Sequence, residues 1–191
     1  MASAEELESQ IESAEEAGDV AQLLDIIGNC TSHGGNEDWA EVTEAALDGV
    51  FRLSKGGQVD KSLTESALSA TFSALEAWKE EDAIVEVALG CIVALVKHYE
   101  NNESDSVVAA KDWNVNLLWS LLQDFEDEST IQEQACLAIE GMALASDKWK
   151  DLLKASDSCP GELVAAKERI NNERNKAYPG RAADALGVSM E

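Results

Sequence analysis

The sequence predicts an all-α chain, on three observations. No segment alternates polar and apolar residues with period two, and only two prolines occur among 191 residues. Apolar residues instead recur three and four apart over most of the length, the spacing that puts them on one stripe of a helix.

In chain order, "EELESQIESAEEA" and "DVAQLLDIIGNC" read as a helical pair broken at Gly18. A third helix runs through Val42 to Leu53, and "SLTESALSATFSALEAW", residues 62 to 78, makes a fourth. A fifth centres on Ala88. "SDSVVAAKDWNVNLLWSLLQDF", residues 104 to 125, reads as a short helix, a bend near Trp113 and Asn114, and an amphipathic helix. "STIQEQACLAIEGMALAS", residues 129 to 146, is a longer one, with "TIQE" in the form of a capping box. Residues 147 to 170 repeat the plan of 104 to 125, with Asp157 or Ser158 as a cap and Pro160 in the first turn, where proline is tolerated. "NKAYPGRAADALGVSM" reads as a further long helix carrying Ala182, Ala183 and Leu186.

Three of these helices share one pattern: apolar, x, Glu, x, Ala, three free positions, branched apolar, two free positions, then Leu or Met. Val42, Glu44, Ala46, Val50 and Leu53 meet it, then Ile84, Glu86, Ala88, Ile92 and Leu95, then Ile131, Glu133, Ala135, Ile139 and Met142. The offsets are 42 and 47 residues. The apolar positions form one stripe, and the central Ala lets a neighbouring helix come close while branched residues fill the space beside it.

"IQEQACLAIEGMALAS" resembles the third helix of an armadillo repeat, through Ile131, Glu133, Ala135, Ala138, Ile139 and Met142. "SVVAAKDWNVNLLWSLL" resembles the family's first two helices. HEAT repeats are close cousins. The resemblance implies one domain over 1–191, an α-solenoid of about three to four repeats wound as a right-handed superhelix, with approximate units 1–54, 55–99, 104–146 and 147–187. It also implies a protein-binding adaptor or scaffold whose partner lies on a concave face lined by third helices. The Trp and Asn ladder with which nuclear-import members hold basic peptides is absent. Its positions are Asp48 and Arg52, Gly90 and Ala94, Leu137 and Gly141.

Charge narrows the partner. The net charge is −24, against nucleic acid, whose phosphates are met by Lys and Arg, and toward a basic protein. The asymmetry is strong: residues 1–147 hold 6 basic and 31 acidic side chains, residues 148–191 hold 8 and 7. No run reaches the roughly 18 apolar residues of a membrane span. The acidic start lacks the features of a secretory signal, so the expected location is cytoplasmic or also nuclear, with Cys30, Cys91, Cys136 and Cys159 as free thiols.

The residues singled out for partner binding are Glu44, Asp48, Arg52, Glu86, Glu133, Leu137 and Glu140 on the patterned helices, with Trp39 and Trp149 as exposed anchors. A Glu in the first turn of a helix is equally explained by the helix dipole. Trp119 reads as core. The basic cluster Lys148, Lys150, Lys154, Lys167, Arg169, Arg174, Lys176 and Arg181 suits phosphate, an acidic partner, the protein's own acidic front end or that of a second copy. Neither His33 beside Cys30 nor His98 near a helix end has the supporting groups of a nucleophilic site, so no catalysis is expected. No cofactor or metal is expected either, since zinc and EF-hand spacings are missing. The other readings are a structural subunit that stacks into an oligomer, and a small-molecule-binding or enzymatic helical bundle.

Overall fold

The computed structural model describes residues 3–33, 36–97, 114–156 and 159–190. Among them it is helical throughout, without strands. The helices are α1 (Ala4–Ala17), α2 (Val20–Thr31), α3 (Glu37–Lys55), α4 (Lys61–Ala77), α5 (Asp82–Val96), α6 (Leu117–Asp124), α7 (Ser129–Ala145), α8 (Asp147–Lys154), α9 (Cys159–Arg169) and α10 (Tyr178–Leu186). The expected short helix before Trp113, Trp113 itself, His98 and the Asp157/Ser158 cap lie outside the described residues.

Local chemistry sets the ends. Ser3 and Glu6 close a reciprocal capping box on α1, with Ser3 N donating to Glu6 Oε2 at 2.8 Å and Glu6 N to Ser3 Oγ at 3.3 Å. Gly18 then takes φ 68°, the left-handed conformation that ends a helix at little cost only for glycine. Asp19, Asn36 and Asp60 cap α2, α3 and α4 by accepting from Gln22, Asp38 and Ser62 backbone N–H groups. The two Ser62 hydrogen bonds hold the Asp60 carboxyl below the usual aspartate range.

The described chain divides into two compact units, Met1–Leu95 and Val96–Glu191. In the first, α2 packs on α3 and on α4, while α1 covers α2 and α3. Helix α3 also meets α5: Cys91 Sγ donates to Leu47 O at 3.2 Å, and Gly90 leaves room for the Phe51 ring. In the second unit α7 is the hub, packed by α6, α8, α9 and α10, and α9 also packs on α6. Within each unit, then, helices pack on the next but one in sequence as well as on the next.

Every apolar position of the three-fold pattern is buried, none more than 5% exposed, and Ala46, Ala88 and Ala135 are fully covered. The pattern has a fourth, partial copy. Tyr178, Ala182 and Leu186 of α10 follow Ile131, Ala135 and Ile139 by 47 residues, with Ala182 and Leu186 fully buried.

Three expectations need correction. The helix of residues 129–146 starts at Ser129 with Glu128 in the cap position and no side-chain cap bond, so "TIQE" is not a capping box. The last helix spans nine residues rather than the whole of 175–190. Pro179 can stand only in a first turn, and Gly187 takes φ 72°, which stops the helix. Trp149 is fully buried, so it is not an exposed anchor. With Leu153 it forms the buried stripe of the helix "DKWKDLLK", an i, i+4 pair beside the half-buried Leu152, and Ser146 caps its backbone N–H.

Two glycines permit close approach. A Cβ at Gly141 of α7 would stand 2.6 Å from the Val96 methyl, and one at Gly49 of α3 would stand 3.0 Å from Leu23 Cδ1. Gly28 of α2 faces open space. Gly141→Ala should therefore destabilise by about 1–3 kcal/mol through overpacking. Gly28→Ala should be neutral or stabilise by about 0.5–1 kcal/mol, both read from urea denaturation midpoints.

Candidate partner-binding faces

In the first unit the singled-out side chains sit along α3 and α5. Glu44 and Asp48 are half-buried, and Arg52 and Glu86 are exposed. Arg52 is not free: its Nη2 lies 2.7 Å from Glu15 Oε1 of α1 and 3.1 Å from Asp48 Oδ2 one turn back. The Arg52 guanidinium ties α1 to α3 and ends a row of like charge, Glu37, Glu41, Glu44 and Asp48, set at three- and four-residue spacing. Such a row opposes helix formation by a few tenths of a kcal/mol per pair. Glu44 and Glu86 have no ion-pair partner among the described residues, which leaves them as open acids of this face. Glu37 and Glu41, also exposed, extend it. Their spacing was a readable signal, because like charges at i, i+4 are otherwise unfavourable.

The second unit uses its acids differently. Glu133, half-buried, accepts from Asn175 Nδ2 at 2.8 Å. Glu140, only 13% exposed at its side chain, accepts from Arg181 Nε at 2.9 Å and is ion-paired with it. Leu137 is half-buried between them in sequence. Nearby, Ser129 Oγ accepts from Asn171 N at 2.9 Å, and Arg169 donates to Leu122 O at 2.7 Å and pairs with Glu126. Gln132, fully buried, donates through one amide nitrogen to Leu122 O and Phe125 O, satisfying carbonyls at the C-terminal end of α6. The acids of α7 are thus taken up by Asn175 and Arg181. Part of the basic cluster is also accounted for: Arg169 and Arg181 pair across the unit, and Lys176 pairs with Glu173.

Apolar anchors are scarce. Among the described residues the large exposed hydrophobic side chains are Leu144 (58%) and Val164 (41%), on different helices. Trp39 is half-buried and stacks on His33 with ring centroids 4.4 Å apart and planes at 15°. His33 Nδ1 lies 3.0 Å from both Asn29 O and Ser32 Oγ. Trp119 is core, as its helical spacing indicated, and its Nε1 donates to Leu153 O at 3.2 Å.

The thiols are enclosed. Cys30, Cys91, Cys136 and Cys159 are all buried and free. Desolvation raises all four pKa values, that of Cys136 to about 12. Acids add to this, Asp48 beside Cys91 and Glu140 beside Cys136. A thiol held protonated is a poor nucleophile. Cys30 and His33 are close in sequence, yet the imidazole is taken up by Trp39, Asn29 and Ser32. Among the described residues no group of three His, Cys, Asp or Glu side chains is placed to hold a metal, and no helix is long and apolar enough to cross a membrane. A shallow depression of about 180 Å³ lies at the α4–α5 corner, lined by Ala77, Trp78, Lys79, Glu80 and Glu81.

Compared with known proteins, the chain matches no family, no curated protein and no solved structure.

The burial of the thiols sets a measurable expectation. Native protein should react with an aromatic disulfide reagent at least about a hundredfold more slowly than a free cysteine, because attack needs local opening and a thiolate. Denatured protein should release four equivalents at once. Rapid labelling of any one thiol under native conditions would contradict the enclosed packing.

Proposed function

We propose that the chain is a short armadillo-like α-solenoid that binds another protein, without catalysis, and that its partner carries a basic segment. The observation that carries this reading is the acidic row on α3, with Glu37 and Glu41 exposed and Glu44 half-buried, together with the exposed Glu86 on α5. It stands beside a surface that, among the described residues, shows only scattered large apolar side chains.

The layered packing inside each unit supports the solenoid. So does the recurrence of alanine-centred helices at 42 and 47 residues. Stacked helices hold a surface ready-made, so a partner pays little for ordering it. With few apolar anchors, recognition depends on charge, which speeds encounter and sets specificity. The face lies on the first unit rather than along all the patterned helices, since Glu133 and Glu140 already serve Asn175 and Arg181. A non-catalytic role is supported by the protonated, enclosed thiols and by the engagement of His33. A cytoplasmic or nuclear location belongs to the same proposal, as does the exclusion of nucleic acid as a ligand.

Binding of a fluorescent Lys/Arg-rich peptide tests the reading. Anisotropy should show saturable binding at low salt that weakens steeply as the Debye length falls from about 30 Å at 0.01 M to about 8 Å at 0.15 M. Glu44→Lys with Glu86→Lys should weaken it about tenfold or more, equivalent to about 1.4 kcal/mol. Glu133→Gln should leave it within about twofold. Equal loss in the two variants, or binding indifferent to salt, would overturn the proposal.

The same charge predicts a stability effect. Self-repulsion at a net charge of −24 should be relieved by salt, so the Tm should rise by several degrees between about 0.01 and 0.5 M sodium chloride. Scanning calorimetry reads this directly, and a falling Tm would contradict it.

A further inference from the structure

We draw no further inference here: the strongest candidate, the depression at the α4–α5 corner where the buried Trp78 indole N–H has no acceptor, is shallow and lined by five consecutive residues, and nothing in the structure shows what would fill it.

Discussion

The close approach of helix to helix across small residues is the constraint on which this structure depends. Ala46, Ala88, Ala135 and Ala182 are each fully covered, and glycines 49, 90 and 141 extend the same low surface along their helices. A helix with a small residue at its centre lets another backbone come near, and the branched residues one turn either side then reach past it. Val42 and Val50, Ile84 and Ile92, and Ile131 and Ile139 do this in turn. The stabilisation is apolar burial and dispersion, which need no directional partner. That leaves the outward faces free to take almost any charge, here a strongly negative one.

Polar chemistry then fixes how neighbouring segments sit. Arg52 fastens α1 to α3 through Glu15, and Arg181 fastens α10 to α7 through Glu140. Arg169 and Gln132 share the Leu122 carbonyl at the end of α6. Arg169 gathers a carbonyl and two carboxylates, Glu126 and Glu162, with its own side chain 19% exposed, whereas Arg52 is 59% exposed. The half-buried Arg169 guanidinium is the more consequential of the two, because removing it leaves the part-buried Glu162 carboxylate without its cation. Surface pairs of the Arg52 kind contribute little by themselves.

Much of the fold was legible in the sequence, and the reasons are local. Periodicity located the helices, Gly18 separated the first two, and the alanine-centred pattern marked the buried stripe on each of α3, α5 and α7. What escaped depended on distant neighbours or on finer local rules. Nothing near Glu133 or Glu140 says that Asn175 and Arg181, 42 and 41 residues on, will claim them. The open carboxylates expected there have partners far along the chain, Asn175 in the turn before α10 and Arg181 on α10 itself. The burial of Trp149 is readable locally, since with Leu152 and Leu153 at i+3 and i+4 it makes up the apolar stripe of α8. The partial copy of the pattern in α10 lacks the Glu, replaced by Gly180, and so fell below recognition. The row of like charge on α3 was visible as composition before it was visible as a face.

The account stands on the equivalence of the alanine-centred helices, and core substitution at their centres tests it most directly. Ala46→Leu, Ala88→Leu and Ala135→Leu, each measured by equilibrium urea denaturation, should all destabilise by about 1–3 kcal/mol or more, because each inserts three carbons at a fully covered position. Ala17→Leu, at an exposed position of α1, should change stability by less than about 0.5 kcal/mol. Tolerance of leucine at any of the three centres, to the level of the Ala17 control, would contradict that equivalence.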